Sequence, residues 1–474
     1  MDELQLIDEP GVANVAAAVP GEGDLAGPRV YVETYGCQMN VADTEVMLGI
    51  LSGAGFRTVS RPEDADVMLL NTCAVREKAE ERVVGRLTQL SRFKMLRPEV
   101  ILGVCGCMAK HLAEALLDRV PTVDLVLGPD SYRRLPEMIR QASDEPALDV
   151  RLDREEGYAD VDPLRIERSN AWISIMRGCD KFCTFCVVPY VRGRERSVSA
   201  EEVVRQAETA AGQGYKEVTL LGQTVNSYHD GDCDFADLLE RVAAVPGIRR
   251  IRFTSPHPSD FSPKLIDTMA AEPKVCRYIH LPVQLGSNAV LSRMKRDYTV
   301  EAYLDLASRL RSAMPGLCLS TDVIVGFPGE TEEDYRATVE LMRQQRFDSA
   351  FMFKYSPREG TAAWRELPDS VPEPVKGERL IEVIALQTEI SGEINAGYVG
   401  RRLEVLVAGD APKGEGRVIG RSDGHKKVIF PRAGAADSAL VPVLIESANS
   451  HTLMGRHVGR DNMGSQNRTA QHAA

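Results

Sequence analysis

The chain has 474 residues, of which 43% are hydrophobic and 27% charged, and this length predicts more than one domain at roughly 150 residues each. No apolar run reaches the ~18 residues of a membrane span, so no membrane partner is expected, and the acidic start MDELQLIDEP lacks the basic region of a secretory signal. Ten cysteines in so long a chain suit a reducing, cytoplasmic compartment, and the net charge of -12 argues against nucleic-acid binding by the chain as a whole.

The first part of the chain combines a polar tail with an α/β domain. Residues 1–27 contain six acids and no lysine or arginine, which predicts a disordered tail. Residues 28–141 alternate strand-like and helix-like segments, and this alternation predicts a parallel sheet. The predicted strands are RVYVETYG, ADVMLLNTC and VILGVCGCMAK.

Each of these three predicted strands ends at a cysteine. Cys37 and Cys73 follow the first two strands, and Cys105 and Cys107 both lie in VCGCMAK. Because the carboxyl ends of parallel strands meet at one edge of a sheet, three thiolates are predicted to converge there and bind a cluster with one open iron. Buried cysteines that act as small core residues are the alternative. Spacing does not separate Cys105 from Cys107, although a helix dipole favours a thiolate at Cys107.

A charge-rich linker, residues 142–165, leads to a larger domain at residues 166–395. Six strand-like segments alternate with helices there, which predicts an open (β/α)6 partial TIM barrel with its site at the carboxyl ends of the strands. The segments are AWISIMRGC, KEVTLLG, RRIRFTS, YIHLPVQ, CLSTDVIVG and DSAFMFKYS.

Three cysteines lie directly after the first of these strands, in RGCDKFCTFCVVPY. Cys179, Cys183 and Cys186 are spaced to hold three irons of a 4Fe-4S cluster, and the next histidine and cysteine are His229 and Cys233. Three ligands leave one iron open for chemistry. A structural zinc site is the alternative, but such sites usually have a second ligand pair, which this chain lacks.

Residues 397–460 predict a small β-domain of the opposite charge, followed by a polar tail at residues 461–474. From Tyr398 to Arg460 there are ten Lys+Arg and six Asp+Glu, a balance of +4 on a chain of net charge -12. A basic β-domain on an acidic protein predicts RNA binding, with an ordinary solvated surface as the alternative. The candidate RNA contacts are Arg401, Arg402, Lys426 and Lys427.

Seven motifs between residue 28 and residue 460 belong together: ETYGCQMN, LLNTCAVREKAEERV, GCMA, RGCDKFCTFCVVPYVRGRER, LLGQTVNSY, HLPVQLGS and TDVIVGFPGET. In these motifs the chain resembles the methylthiotransferases of the radical S-adenosylmethionine superfamily. That resemblance implies an N-terminal methylthiotransferase domain, a radical S-adenosylmethionine core and a C-terminal β-barrel-like TRAM domain. It also implies two 4Fe-4S clusters, one on Cys37, Cys73 and Cys107, and the other on Cys179, Cys183 and Cys186.

The resemblance also implies a binding site for S-adenosylmethionine. Phe185 is expected beside the adenine, Gly222 and Gln223 at the methionyl amine, and Gly326 against the adenine through its backbone. Ordinary packing is the alternative for each of these four. Arg192, Arg194 and Arg196 could bind RNA phosphates or a cofactor carboxylate, but a salt-bridged surface is the default for such charge runs.

The activity that the resemblance implies is methylthiolation of N6-(dimethylallyl)adenosine in tRNA, at the adenosine 3′ of the anticodon. A radical from S-adenosylmethionine would take the C2 hydrogen, and the second cluster would supply sulfur. The expected partners are this tRNA and a one-electron reductant such as flavodoxin or ferredoxin, with the sulfur donor unidentified and the protein a monomer.

Two alternatives and two departures accompany this interpretation. The alternatives are a methylthiotransferase for a ribosomal protein side chain or for threonylcarbamoyl adenosine, and a non-enzymatic iron–sulfur or zinc RNA-binding protein. The family usually has Asn where Thr224 stands and Ser where Leu285 stands, and both positions are expected to influence how cofactor or substrate is held.

Overall fold

The computed structural model describes residues 27–74, 77–142, 145–412 and 414–459, together with the backbone of the strand Ala13–Val15. The rest of the tail predicted for residues 1–27, and the tail at residues 461–474, lie outside these residues. In this described part, no helix is both long enough and apolar enough to span a membrane.

The N-terminal domain is a parallel sheet in the order β1-β2-β4-β5-β6-β7, with β3 also paired to β2 and only β1 antiparallel. Its strands are β1 Ala13–Val15, β2 Arg29–Tyr35, β3 Arg57–Thr58, β4 Val67–Thr72, β5 Ile101–Gly106, β6 Leu125–Leu127 and β7 Ala147–Asp149. Its helices are α1 Gln38–Gly53, α2 Glu77–Leu96, α3 Cys107–Leu112, α4 Glu114–Arg119 and α5 Leu135–Gln141.

Two sequence predictions for this domain need correction. At Ala13–Val15 the expected disorder is replaced by a strand, because its backbone pairs with β2. The segment at residues 142–165 is not a free linker: β7 pairs with β6, and Tyr158 is buried in the apolar core on one face of the sheet. Because charged residues dominate the composition of this segment, the sequence did not predict that its few apolar residues pack against the sheet.

The middle domain contains the six predicted parallel strands, arranged as two sheets of three in the orders β14-β11-β8 and β15-β16-β17. A parallel bridge between Ile251 and Val275 connects the two sheets into one open partial barrel. Its strands are β8 Asn170–Ser174, β9 Met176–Arg177, β10 Arg196–Ser197, β11 Glu217–Leu221, β12 His229–Asp230, β13 Cys233–Asp234, β14 Arg250–Phe253, β15 Tyr278–His280, β16 Cys318–Val325 and β17 Ser349–Lys354.

Helices cover the outer face of the partial barrel, and the parallel register explains why they alternate with the strands. They are α6 Val188–Arg192, α7 Ala200–Gly212, α8 Phe235–Ala243, α9 Pro263–Ala271, α10 Asn288–Arg293, α11 Val300–Ala313, α12 Glu332–Gln345, α13 Ala362–Glu366 and α14 Glu373–Ala396. Side-chain caps begin several of them, for example Thr331 at α12 and Asp234 at α8. The predicted partial barrel is therefore confirmed.

The C-terminal domain is a closed barrel in the order β18-β19-β20-β22-β21. Its strands are β18 Arg402–Asp410, β19 Arg417–Ser422, β20 Lys427–Pro431, β21 Leu440–Ala448 and β22 Leu453–His457. The sequence predicted the first four but not β22, whose alternation is interrupted by Gly455. A Cβ at residue 455 would lie 2.2 Å from the Leu444 carbonyl oxygen, so the close approach of β21 explains this glycine.

The C-terminal barrel docks on the amino-terminal ends of the middle-domain strands. The turn between β19 and β20, residues 423–426, enters the partial barrel from that end. Arg252 of β14 donates to the carbonyl oxygens of Ser422 and Asp423, and the His425 ring stacks on Tyr278 with the ring centres 4.6 Å apart. The turn therefore forms the floor of the partial barrel, opposite the carboxyl ends of its strands.

Candidate active site

Cys179, Cys183 and Cys186 lie at the carboxyl end of the partial barrel, in the loop between β9 and α6. Cys179 and Cys183 are buried and Cys186 is partly exposed. Burial above all, together with the neighbouring thiols of Cys183 and Cys179, raises the pKa of Cys186 to about 12. The loop thus brings the three thiols close together, and we call them the core triad.

Two polar side chains from other strands and loops contact the core triad. The Thr224 hydroxyl lies 3.2 Å from Cys179 Sγ, and Arg296 Nη1 donates to Cys183 Sγ at 3.3 Å. Arg296 is held in turn by the Tyr298 hydroxyl at 3.0 Å. Sequence reasoning missed Arg296, and it judged Thr224 only as a departure from the family pattern.

The four predicted cofactor residues lie in the triad loop or after the strands β11 and β16 at the same end of the partial barrel. Gln223 follows β11 beside Thr224, and its Oε1 is buried without a hydrogen-bond partner among the described residues. Gly222 admits Met176, since a Cβ there would lie 2.4 Å from Met176 Cγ. An unpaired buried acceptor at this place suits the ammonium group of a bound amino acid.

Phe185 and Gly326 come together on the other side of the loop. The Phe185 ring meets Phe327 edge to face at 6.5 Å, directly after Gly326. Gly326 packs against the side chain of Lys376, and a Cβ there would lie 2.4 Å from Lys376 Cγ. Leu285, the second departure, is fully buried in the same apolar cluster as Phe327, so a leucine there fills core space.

Cys37, Cys73 and Cys107 converge at the carboxyl ends of β2, β4 and β5, and we call them the N-terminal triad. Cys37 precedes α1, Cys73 follows β4, and Cys107 is the first residue of α3. Contact with Cys73 above all, and the charge of Arg192, lower the pKa of Cys37 to about 6. The parallel topology therefore gathers three thiols that are far apart in the sequence.

Two glycines make this convergence possible. Gly36 has φ +155°, and a Cβ there would lie 2.8 Å from Cys73 Cβ. Gly106 has φ +93°, and a Cβ there would lie 2.4 Å from Asn71 Oδ1. Both residues hold a strand end close to a neighbouring strand, where any side chain would push the thiols apart.

Cys105 and Cys107 differ in their surroundings. Cys105 is fully buried within β5, belongs to the apolar core, and its pKa is raised by burial alone. Cys107 lies at the start of α3, where Arg192 Nε donates to its Sγ at 3.1 Å. A thiol facing a guanidinium can ionise more readily than one enclosed by apolar side chains, so these surroundings favour a thiolate at Cys107 over one at Cys105.

The arginine run next to the core triad joins the two domains through buried ion pairs. Asp43 on α1 lies 2.6 Å from Arg192 Nη2 and 2.9 Å from Arg177 Nη2, and all three side chains are buried. Arg196 pairs with Asp130 at 2.5 Å, and the more exposed Arg194 pairs with Asp180 at 2.8 Å. The run is therefore salt-bridged, and Arg192 lies too deep to reach an RNA phosphate.

The two triads are neighbours, because α6 connects them. Helix α6 begins two residues after Cys186 and ends at Arg192, the residue that contacts Cys107. Val187 and Val191 pack with Cys107 and Ala74 in one small apolar cluster. The short helix α6 thus sets the distance between the groups that the core triad and the N-terminal triad bind.

The donor set of each triad, three cysteine thiols, fits an iron–sulfur cluster. Within the described residues, no three His, Cys, Asp or Glu side chains are placed to hold one metal ion. A cubane cluster attaches each thiolate to a different iron and so accepts more widely spaced thiols. Each triad also has an arginine, the partly buried Arg296 or the buried Arg192, whose charge opposes that of the thiolates.

The predicted RNA contacts on the C-terminal barrel have different surroundings. Arg401 and Arg402 are exposed, and Lys427 is half-buried. Lys426 is buried, and its Nζ lies 2.6 Å from Asp348 Oδ1 of the middle domain. The prediction for Lys426 is therefore wrong, because its charge is used to attach the barrel to the middle domain.

Two family descriptions match this chain. "Uncharacterized protein family UPF0004" matches residues 29–128, and "Radical SAM superfamily" matches residues 173–342. The first range contains the N-terminal triad and the second contains the core triad.

Relatives of high identity match nearly the whole chain. The tRNA-2-methylthio-N(6)-dimethylallyladenosine synthase of Chlorobium luteolum is 48% identical over 440 residues, which cover 91% of this chain and 98% of the relative. The protein of the same name from Chloroherpeton thalassium is 46% identical over 430 residues, which cover 90% of this chain and 95% of the relative.

Solved structures share the fold. The radical S-adenosylmethionine methyltransferase TsrM from Kitasatospora setae, with cobalamin and a [4Fe-4S] cluster bound, aligns with a TM-score of 0.52 at 16% identity, covering 71% of this chain and 77% of that chain. The cobalamin-dependent S-adenosylmethionine radical enzyme OxsB aligns with a TM-score of 0.51 at 14% identity, covering 77% and 56%. At such identities these likenesses concern the fold alone.

Proposed function

The chain belongs to the tRNA-2-methylthio-N(6)-dimethylallyladenosine synthases, on relatives up to 48% identical over most of its length, and from this premise we propose how its two triads divide the reaction. The protein is a radical S-adenosylmethionine transferase that uses 4Fe-4S clusters. It converts N6-(dimethylallyl)adenosine in tRNA, 3′ of the anticodon, to the 2-methylthio derivative. The proposal depends above all on one observation, the contact of Arg192 with Cys107 across the domain boundary.

The core triad is the proposed site of the radical chemistry. Cys179, Cys183 and Cys186 would hold a 4Fe-4S cluster, and S-adenosylmethionine bound there supplies, on one-electron cleavage, the carbon radical that the strong C2–H bond of adenine requires. Gln223 Oε1 would accept from the methionyl ammonium group. Phe185 would pack against the adenine of the cofactor, and the half-buried loop around it would keep water from the reacting carbon.

The N-terminal triad is the proposed source of sulfur. Cys37, Cys73 and Cys107 would hold the second 4Fe-4S cluster, which would supply sulfur. Arg192 would orient this cluster through its hydrogen bond to Cys107, and Asp43 fixes the guanidinium from the other side. Because Arg192 ends the helix that begins beside Cys186, the same segment positions both clusters.

The remaining partners follow from the chemistry. A one-electron reductant such as flavodoxin or ferredoxin would supply the electron, the protein would act as a monomer, and its place would be the cytoplasm. Arg401, Arg402 and Lys427 on the C-terminal barrel are proposed phosphate contacts, which add affinity but no sequence specificity. Lys426 is excluded from this set by its ion pair with Asp348.

Nucleoside analysis tests the function. The anaerobically reconstituted protein, with S-adenosylmethionine, a reductant and tRNA carrying N6-dimethylallyladenosine, is expected to form 2-methylthio-N6-dimethylallyladenosine, detected by mass spectrometry of the digested tRNA. The same tRNA without the dimethylallyl group is the control and should stay unmodified. Product on threonylcarbamoyl adenosine or on a ribosomal protein instead, or metal binding without cleavage of S-adenosylmethionine, would contradict the assignment.

A further inference from the structure

Exposed aromatic side chains are rare in this protein. All of its Phe, Tyr and Trp residues belong to the described part of the chain, and Tyr190 and Trp364 are the two in the exposed class, at 39% and 48%. Tyr190 is on α6, directly after the core triad, and Trp364 is on α13. Neither side chain has a role in the chemistry described above.

Arginine side chains lie next to these rings. The Arg365 guanidinium lies 5.9 Å from the centre of the Tyr190 ring, and Arg365 is the neighbour of Trp364 on α13. On the other side, Phe182 meets Tyr190 edge to face at 6.3 Å, and the Arg194 guanidinium lies 5.0 Å from the Phe182 ring. We call Arg194, Phe182, Tyr190, Arg365 and Trp364 the aromatic row.

The aromatic row surrounds the loop that contains the core triad. Phe182 lies between Cys179 and Cys183, with a φ of +47° that aromatic residues rarely adopt. Helix α13 is attached to the same loop, because the Ala363 amide donates to the Thr184 carbonyl oxygen at 2.7 Å. The aromatic row is thus the outer surface of the triad loop and of the helices attached to it, and the thiols of the core triad lie on the inner side of this loop.

The charges of the row indicate which contacts it can make. Arg194 is paired with Asp180 at 2.8 Å, and Arg365 donates to the Gly360 carbonyl oxygen at 2.9 Å. Glu359 and Glu366 lie close by in the sequence. The surface therefore has no large excess of positive charge. A ligand can bind to it by stacking on the faces of the aromatic rings and on the guanidinium planes.

We propose that the aromatic row binds the unpaired nucleotides next to the target adenosine of the RNA substrate, by stacking bases on Tyr190 and Trp364. Unpaired bases stack on aromatic rings and on guanidinium planes, and this contact tolerates any base. Tyr190 is four residues after Cys186, and α13 is bonded to the triad loop, so the row lies within a short distance of an adenosine held at the core triad. The inference rests on the proposed function, since it assumes an RNA substrate.

Affinity for a stem-loop RNA tests the proposal. The probe is an anticodon stem-loop carrying N6-dimethylallyladenosine, and its binding to the full-length reconstituted protein is measured by fluorescence anisotropy at several salt concentrations. Tyr190→Ala and Trp364→Ala are each expected to weaken binding roughly tenfold, within the range for loss of one stacked base. The salt dependence should not change, because no phosphate contact is removed. Tyr190→Phe keeps the ring and should bind like the wild type.

Matched controls separate stacking from general loss of apolar surface. Ile381→Ala removes a side chain that is 64% exposed on α14, away from the triad loop, and should leave affinity unchanged. A fully paired RNA duplex should bind the wild type and Tyr190→Ala equally, since it offers no unpaired base. If Tyr190→Ala binds less iron than the wild type, its RNA affinity no longer tests stacking. The test of stacking is then Trp364→Ala, because the exposed Trp364 side chain can be removed without opening the core.

Two outcomes would overturn the proposal, and a third would concern the proposed function instead. Wild-type affinity of the Tyr190→Ala/Trp364→Ala double variant for the stem-loop would overturn the proposal. Unchanged RNA affinity with slower reduction by flavodoxin would also overturn it and would assign the surface to an electron donor. If the wild type forms no methylthiolated nucleoside, the proposed function fails, while the stem-loop comparison still decides whether this surface binds unpaired RNA.

Discussion

Cys73→Ala is expected to abolish formation of the methylthiolated nucleoside while cleavage of S-adenosylmethionine to 5′-deoxyadenosine continues. Cys73 belongs to the N-terminal triad, and none of the described contacts of the core triad involves it. Its loss removes one thiolate from the proposed sulfur-donating cluster and leaves the core triad intact. Both products are measured in the same anaerobic reaction, the nucleoside by mass spectrometry and 5′-deoxyadenosine by chromatography.

Cys183→Ala is the paired variant and should abolish both products, since the open iron of the core cluster binds S-adenosylmethionine. Cys105→Ala is the matched control: it removes a neighbouring buried thiol that points into the apolar core. That variant should retain both products, with some loss of stability from the smaller side chain. Loss of S-adenosylmethionine cleavage in a folded Cys73→Ala protein would mean that the roles of the two triads are reversed.

Truncation after Asn395 is expected to prevent folding of the middle domain, and with it iron binding. The C-terminal barrel supplies the floor of the partial barrel: Arg250 and Arg252, both about 5% exposed in their side chains, donate to its backbone carbonyl oxygens. Removal would leave two buried guanidinium groups without these acceptors and expose the Tyr278 ring to water. A hydrogen bond to a charged group contributes about 1.5 to 3 kcal/mol, so the loss of several such bonds is comparable with the whole stability of a domain.

Iron content and melting temperature measure this effect. The control is charge reversal at Arg401, Arg402 and Lys427, which should keep the wild-type iron content and change stability by no more than about 1 kcal/mol. Lys426→Ala should fall between the two, because it leaves Asp348 without its partner ammonium group. A truncated chain that binds iron and melts at the wild-type temperature would show that the docked barrel contributes nothing to the core.

The strands and the two triads were accessible from the sequence because both depend on local patterns. Alternating apolar segments predicted the parallel strands, and the topology of a parallel sheet then predicted that Cys37, Cys73 and a thiol of VCGCMAK meet at one edge. The cysteines of RGCDKFCTFC needed no topology at all. A helix start after Gly106 already favoured Cys107 over Cys105 in the sequence, and Cys107 is the first residue of α3.

Contacts between distant elements were not accessible in this way. Nothing local distinguishes Arg192, which is buried against Cys107 and Asp43, from Arg194, which is exposed. Lys426 and Lys427 are adjacent in the sequence, yet only Lys426 faces Asp348. Charge patterns predict solvent exposure by default, and these arginine and lysine residues are buried because the docking of whole domains provides their partners.

The iron and sulfide content of the anaerobically reconstituted protein tests the two-triad account most directly. Two 4Fe-4S clusters predict roughly eight iron and eight sulfide per chain, and replacement of Cys179, Cys183 and Cys186 by alanine should lower both to roughly four. A wild-type content near four iron, or zinc in place of iron, would contradict the account.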